Sequence, residues 1–286
     1  MGRNLRIILI VAFLAGATIV GFLFFRVKTV PHIQLPAEIV AFVGGFPITN
    51  TMVAAWLTII LLLVLFRLVT ANLQMVPGRA QNLAEVLIEG AVGLAESVAG
   101  RERARIFFPL VMTIFLFVLT SNWMGLLPGY HTIYIQSPDD HHHGEMVPLI
   151  RSANTDLNMT LALALVAVVG ATYFGIRQLG IGEYAGKFFN FREGVIGFFI
   201  GILELISEFS RILSFAFRLF GNIFAGEVLL AVVGFLIPWI VILPFFGLEL
   251  FVGFIQAFVF AMLTLVFMTV ATTSHAHHES HEEGHH

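Results

Sequence analysis

The chain has 286 residues, of which 58% are hydrophobic and 12% are charged, about half the charged fraction of ordinary soluble domains. Its net charge of −3 is too small to suggest a nucleic-acid partner, and without cysteine it can form no disulfide, thiolate metal site or cysteine nucleophile. This composition indicates a polytopic membrane protein whose chemistry takes place in or beside the lipid bilayer.

The first apolar stretch, residues 5–25, has Arg3 and Arg6 at its N-terminal end and is either a signal peptide or a first membrane helix. Its apolar core is longer than the usual signal h-region and no A-x-A-like cleavage site follows, which favours an uncleaved helix. A loop with three prolines over residues 26–49 precedes a second span, predicted over residues 50–70.

Residues 71–105 have a different pattern. Val76-Pro77-Gly78 breaks the chain, and residues 81–98 carry apolar side chains at helical spacing against glutamates. This predicts an amphipathic helix at the membrane surface, whose glutamates most simply form its solvated face. These are Glu85, Glu89 and Glu96. Arginines on this side mark it as cytoplasmic by the positive-inside rule. They are Arg67, Arg79, Arg101, Arg103 and Arg105.

Two more spans are predicted over residues 106–127 and 157–176, with a polar loop at residues 130–155 between them. Arg151 is the sole Lys or Arg of that loop, which places the loop on the far side of the membrane. Asp156 and Asn158 stand at the start of the later span, where helix capping would explain them.

Eleven histidines occur in the chain. Most lie at residues 141–143 and in the tail after Thr273, and could bind a metal, although their spacing fixes no ligand geometry. No metal site and no cofactor is predicted.

Residues 194–237 are largely apolar and would be about 65 Å long as one helix, twice the hydrocarbon thickness. The stretch either breaks into two spans or forms one strongly tilted helix. Pro238 and Pro244 bracket a turn before a last helix at residues 245–272. One passage gives about six in all and a cytoplasmic tail, whereas two passages put the tail outside. The tail lacks Lys and Arg, so charge does not decide.

Arg218, Asn222 and Glu227 interrupt this apolar stretch within S-F-A-F-R-L-F-G-N-I-F-A-G-E. An ionisable side chain in hydrocarbon costs about 2.5 to 3.5 kcal/mol on insertion scales, so it usually serves transport, relay or pairing. At 100° per residue, seven polar side chains fall within about a third of the helix circumference. This polar stripe comprises Glu204, Ser207, Glu208, Arg211, Ser214, Arg218 and Asn222.

Three polar residues lie off the stripe. Glu227 is about 13 Å beyond Arg218 along the axis and on the opposite side, while Glu249 and Gln256 share a face of the last helix. The two carboxylates suit a water-filled cleft, and Gln256 could hydrogen-bond a guanidinium. Because arginine stays charged at biological pH, it cannot relay a proton and repels one. We therefore expect protons to pass along carboxylates, with a moving partner carrying them past the arginine.

Structural roles remain open for the same residues. Arg218 could be paired or snorkelling, Arg211 could pair with Glu208 three residues earlier, and a solvated helix end would explain Glu204 and Ser207. Interhelical hydrogen bonding would account for the rest. Those residues are Asn222, Glu227, Glu249 and Gln256.

The segment from Ser214 through Arg218-Leu219-Phe220-Gly221-Asn222 to Ala225-Gly226-Glu227 resembles the a subunit of F-type rotary ATP synthases. Further segments in family order carry the resemblance over about residues 51–272. They are Val76-Pro77-Gly78 with Gln81-Asn82 and Glu85, Ser121-Asn122-Trp123 to Leu126-Leu127-Pro128, Thr155 to Thr160, and Gln256 to Phe260.

The resemblance implies an all-α polytopic membrane protein that is a proton-conducting stator without catalytic ATP chemistry. Its last two helices would form a long, tilted hairpin, so residues 194–237 would be one passage. Arg218 aligns with the essential arginine that faces the carboxylate of the c-subunit ring. Glu204 and Ser207 align near the cytoplasmic half-channel. The half-channel from the periplasmic side aligns with Asn222, Glu227, Glu249 and Gln256.

Its implied partners are the c-subunit ring, the b-subunit peripheral stalk, the remaining ATP synthase subunits and the lipid bilayer, in the inner (plasma) membrane of a bacterium. We divide the chain into an N-terminal helix and periplasmic-side loop (residues 1–49), an a-subunit membrane domain (50–273) and a polar His-rich cytoplasmic tail (274–286). The first helix, the His-bearing loop and the tail depart from the family pattern. The choice between H⁺ and Na⁺ depends mainly on the ring.

Two other classes fit less well. A self-contained secondary transporter would often show repeat symmetry, and none is visible here. An intramembrane hydrolase would need a His or a pair of Asp within the spans, and no predicted span has them. There is also no phosphate-binding loop.

Overall fold

The computed structural model describes residues 35–71, 73–127, 130, 133–138, 146–186, 188, 194–236 and 242–273. Three features singled out from the sequence lie outside these residues, namely the predicted first span, the histidines of the loop and the His-rich tail.

Helices dominate the described part of the chain, which contains seven α-helices. In order they are α1 (Asn50–Thr70), α2 (Arg79–Ala99), α3 (Arg101–Gly125), α4 (Leu157–Leu179), α5 (Ile181–Gly186), α6 (Gly194–Leu236) and α7 (Ile242–Ala271). Five of these, α1, α3, α4, α6 and α7, are long and apolar enough to cross a membrane. This confirms the all-α polytopic membrane fold, with the remaining predicted span lying outside the described residues.

Helix α6 is unbroken over 43 residues, so the alternative of two separate spans is wrong. At 1.5 Å per residue it is about 65 Å long, and it must tilt strongly or extend beyond a hydrocarbon layer of about 30 Å. Helix α7 begins at Ile242, three residues before the predicted start. Pro244 is tolerated there because the first-turn N–H groups of a helix have no intrahelical acceptor.

Helix α3 begins at Arg101, earlier than predicted, and so includes the arginines that had been read as the end of the preceding segment. Gly100 separates it from α2 with φ of +77°, a left-handed conformation that favours glycine. Helix α2 covers the predicted amphipathic segment and extends slightly beyond it at both ends.

Two short hairpins lie where loops were predicted. Strands β1 (Ile39–Val43) and β2 (Phe46–Thr49) pair antiparallel around Gly44-Gly45, whose positive φ angles of 59° and 85° suit a two-residue hairpin turn. Strands β3 (Tyr134–Gln136) and β4 (Met146–Pro148) also pair antiparallel. A short 3₁₀ turn, Ala153–Thr155, then leads into α4.

The described chain divides into two compact units. The first unit contains the described parts of Met1–Thr58, Leu119–Leu157 and Leu219–Gln256. Within it, α3 is fixed to α7 by two side chains that bond to backbone carbonyls: Asn122 Nδ2 donates to Gly253 O at 3.0 Å and Trp123 Nε1 donates to Leu250 O at 3.1 Å.

The loops of the first unit are also tied to α1. Asn50 Nδ2 donates to Glu38 Oε2 at 2.9 Å and lies 3.3 Å from Pro148 O. Thr51 Oγ1 donates to Asp156 Oδ2 at 2.9 Å. Asp156 is therefore bonded to another helix, a contact that the capping interpretation did not include.

The second unit contains Ile59–Val118, Asn158–Arg218 and the described part of Ala257–His286. Its core is a cluster of mostly small side chains with a few large ones. The buried members are Ala95, Ala99, Ala104, Phe107, Val111, Ala171, Tyr184, Ala261, Leu265, Met268 and Ala271. Beside this cluster, the Phe215 ring of α6 packs against Phe260 and Phe267 of α7, with centroids 4.8 and 5.3 Å apart.

Candidate functional site

Arg218 lies on an uncovered face of α6 in the second unit. Among the described residues its one side-chain hydrogen-bond partner is the Ser214 hydroxyl, which Nη2 approaches at 3.4 Å. No carboxylate in that part of the chain forms an ion pair with it. The adjacent Phe217 is 54% exposed. The guanidinium is thus a charge on an apolar surface without an acidic partner from the described chain.

The surface of α6 in the second unit is strongly apolar. Its large exposed hydrophobic side chains, each at least 39% accessible, are Ile196, Phe198, Phe199, Ile200, Ile202, Leu203, Leu205, Ile206, Phe209 and Phe217. An apolar surface of this extent on a single chain is typical of contact with lipid or with another protein.

Glu208 and Arg211 form the internal pair that their spacing predicts. Arg211 Nη1 donates to Glu208 Oε1 at 3.0 Å, and the guanidinium carbon lies 4.3 Å from the centroid of the Phe267 ring. These contacts confirm the predicted pairing of Arg211 with Glu208. Glu204 is half-buried and Ser207 is exposed on the same helix.

Asn222 and Gln256 meet in the first unit. Asn222 Nδ2 donates to Gln256 Oε1 at 2.6 Å, which joins α6 to α7. Gln256 is 4% exposed, and its Nε2 is a buried donor with no acceptor among the described residues. The side-chain carbonyl oxygen of Gln256, which a guanidinium would need as acceptor, is bonded by Asn222. The expected bond from Gln256 to a guanidinium therefore stays a prediction.

Glu249 is 7% exposed and packs against the backbone of α6. Its carboxylate occupies the space beside Gly226, where a Cβ atom on residue 226 would collide with it. The absence of a side chain at Gly226 is therefore what admits the carboxylate between the two helices.

Glu227 is held by Arg151. From the sequence, Arg151 had indicated only on which side of the membrane its loop lies. Arg151 Nε lies 3.1 and 3.3 Å from the two Glu227 oxygens, and Nη2 lies 3.3 Å from Oε2. The Arg151 side chain is 5% exposed. A lone cation in an otherwise acidic loop and a glutamate in an apolar helix were the available signals for this pair.

The two units thus divide the predicted site residues between them. The first unit brings together two α6–α7 contacts and one loop–helix ion pair, which contain Asn222, Gln256, Glu249 and Glu227. The second unit contains Arg218, Glu204 and Ser207. No group of three His, Cys, Asp or Glu side chains suited to a metal ion is found where the structure is described.

Comparison with known proteins matches most of the chain to one family. The sequence profile of the family described as ATP synthase A chain matches residues 52–269. The ATP synthase subunit a of Campylobacter fetus subsp. fetus is 36% identical over 223 residues, which are 78% of this chain and 89% of that protein. The subunit a of Gloeobacter violaceus is 37% identical over 229 residues, or 80% and 86% of the two chains. That of Moorella thermoacetica is 33% identical over 246 residues, or 86% and 99%.

The profile match spans well over half of the chain and includes every predicted site residue from Glu204 to Gln256. The chain therefore belongs to the ATP synthase A chain family, the a subunits of F-type ATP synthases.

Proposed function

We propose that this chain is the proton-conducting stator subunit in the membrane sector of an F-type ATP synthase. Two half-channels carry protons to and from the carboxylates of the c-subunit ring, and Arg218 is the barrier between them. Proton flow then turns the ring and is coupled to ATP synthesis. The subunit moves ions and takes no part in the chemistry of ATP.

The observation that carries the proposal is the unmatched charge of Arg218 on an exposed apolar face. A buried or lipid-facing cation is costly unless it is paired. Since the described residues supply no carboxylate for it, we assign the missing anion to a partner. A ring whose subunits each carry one carboxylate meets this requirement at every step of rotation.

The chemistry of the arginine explains how it can serve as a barrier. A guanidinium keeps its proton at biological pH, so it cannot pass a proton from one half-channel to the other. It favours the ionised form of a carboxylate beside it. A protonated ring carboxylate that reaches Arg218 therefore loses its proton to the outlet, and an ionised one leaves Arg218 only after a proton reaches it from the inlet.

In the proposed inlet half-channel, Asn222, Glu227, Glu249 and Gln256 supply the polar groups. Their support is that all four lie in the first unit, where polar contacts join α6 to α7 or to the loop before α4. The buried Gln256 Nε2, which has no acceptor in the described chain, leaves one donor available there. Glu204 and Ser207 are assigned to the outlet half-channel on the cytoplasmic side.

The remaining assignments complete this proposal. The partners are the c-subunit ring, the b-subunit peripheral stalk and the other subunits of the complex, and the location is the plasma membrane of a bacterium. Residues 1–49 form an N-terminal helix with a periplasmic-side loop, residues 50–273 form the membrane domain and residues 274–286 form a cytoplasmic tail.

ATP-driven proton pumping in membrane vesicles tests the proposal. Arg218→Ala is compared with wild type and with Arg67→Ala, which removes an exposed arginine from the last turn of α1. Passive proton leak is then measured after the soluble catalytic sector is removed. We expect Arg218→Ala to lose coupled pumping and Arg67→Ala to keep it. Normal coupled pumping by Arg218→Ala would overturn the proposal.

A further inference from the structure

Arg151 makes contacts on several sides of its guanidinium, all within the first unit. Besides its contacts to Glu227, Nη1 lies 3.4 Å from the carbonyl oxygen of Pro36. The guanidinium carbon also lies 5.9 Å from the centroid of the Phe224 ring, one turn before Glu227 on α6. The side chain is thus fixed by a carboxylate, a carbonyl and an aromatic face.

The backbone that carries Arg151 is itself anchored. Three residues later, Asn154 Nδ2 donates to Asn122 Oδ1 of α3 at 2.7 Å. Immediately after Arg151, the Ser152 side chain packs where a Cβ on Gly125 of α3 would meet it at 2.8 Å. Two contacts therefore tie the backbone that follows Arg151 to α3.

Two nitrogens of a guanidinium on one carboxylate fix the position of that carboxylate as well as neutralising it. Glu227 is in this way held by its own chain at one place on α6. Glu249, in the same unit, has no such cation among the described residues and packs against Gly226 instead. The two carboxylates thus differ in their surroundings although they lie in the same unit.

We infer that Arg151 is a positioning residue of the inlet half-channel, which holds the Glu227 carboxylate in the place where it serves proton conduction. This inference rests on the proposed function. Arg151 itself transfers no proton, since it keeps its charge. Its contribution is the orientation and the compensating charge that it gives to Glu227.

The alternative is that the Arg151–Glu227 pair only stabilises the packing of the loop against α6. A comparison of single and double variants distinguishes this structural role from the positioning role. Arg151→Gln, Glu227→Gln and the double variant are assembled in the full ATP synthase, with Arg67→Gln as the matched control. Passive proton flux is measured in vesicles stripped of the catalytic sector and is divided by the amount of assembled complex.

We expect Arg151→Gln and Glu227→Gln each to lower flux per complex about a hundredfold, the scale that misplacement of a working group by about 1 Å produces. The double variant removes both charges of the pair and leaves neither uncompensated, so its assembly should recover. Its flux should stay at the level of Glu227→Gln. Arg151→Lys keeps the positive charge but loses the planar guanidinium with its two nitrogens on the carboxylate. Its flux per complex should lie between those of wild type and Arg151→Gln.

Wild-type flux per complex in Arg151→Gln would overturn the inference. Recovery of wild-type flux in the double variant would also overturn it, since the pair would then be only a tie. If Arg151→Gln fails to assemble, Arg151→Lys decides, and wild-type flux in that variant would exclude the positioning role.

Arg218→Ala, measured alongside, separates this inference from the proposed function. Normal coupled pumping in Arg218→Ala would overturn the proposed function. Loss of coupling in Arg218→Ala together with normal flux in Arg151→Gln would overturn only the role of Arg151.

Discussion

Two polar pairs of the first unit form within the chain itself, whereas Arg218 in the second unit has no acidic partner among the described residues. The buried Arg151 side chain forms an ion pair with Glu227, and Asn222 donates a hydrogen bond to Gln256. Arg218 is exposed, and the Ser214 hydroxyl is its one side-chain hydrogen-bond partner among the described residues. A charge satisfied internally contributes to the stability of the subunit, while a charge left unsatisfied on an apolar face contributes to the binding of a partner.

Arg218→Ala should separate these two contributions most strongly. We expect coupled pumping to be lost, while the free energy of unfolding in detergent changes by no more than about 0.5 kcal/mol, because the side chain has few contacts to lose. Thermal unfolding of the purified protein checks the second part. A large loss of stability would mean that Arg218 is held by its own chain, and the comparison would fail.

Arg151→Ala should lower the stability of the subunit more than Arg218→Ala does. The Arg151 side chain is buried but Glu227 is 28% exposed, so removing the guanidinium leaves a partly buried carboxylate uncompensated, at a cost of up to about 3 kcal/mol. We expect less assembled complex and earlier thermal unfolding than in Arg218→Ala. Stability equal to wild type would show that the Arg151–Glu227 pair is not holding the loop to α6.

Gly226→Ala tests how closely the first unit is packed around its carboxylates. The added Cβ collides with the Glu249 carboxylate, and overpacking of this kind costs about 1 to 3 kcal/mol. Gly221→Ala is the matched control, because nothing lies within 4 Å of a Cβ at that position on the same helix. The double variant Gly226→Ala with Glu249→Ala should regain thermal stability, and equal unfolding of the two single glycine variants would contradict the packing.

Arg211→Ala should have the smallest effect. It removes a part-exposed pair with Glu208 and the contact to the Phe267 ring, which together contribute about 1 kcal/mol. Arg177→Ala, an exposed arginine at the end of α4, is the control for thermal unfolding. Coupled pumping should persist in both, and its loss in Arg211→Ala alone would assign Arg211 to the ion path.

Sequence spacing predicted the contacts that are local and missed those that are not. Helix α1 lies where hydropathy predicted it, because the ends of an apolar stretch in the sequence indicate the ends of the membrane helix. Glu208 and Arg211 pair as expected, since residues three apart on a helix are neighbours. Arg151 and Glu227 are 76 residues apart, and no periodicity connects a loop residue to a helix face at that distance.

The β1–β2 hairpin was missed for a different reason. Its signal, Gly44-Gly45 between two apolar runs, was present in the sequence but was outweighed by the prolines on either side. Pro47 is accommodated in a two-stranded sheet, where every strand is an edge strand. The close approach of Glu249 to Gly226 could not be predicted, because a glycine gives no indication of which side chain it will admit.

Helix α6 has a mechanical consequence that follows from its continuity. Arg218 stands near the middle of 43 residues that contain no proline, one of the usual causes of a sharp kink. A force on this residue perpendicular to the helix axis would have to bend a long continuous helix. The backbone hydrogen bonds on both sides of Arg218 oppose that bending. In a motor that delivers torque, such stiffness would keep the charge from yielding as each carboxylate passes.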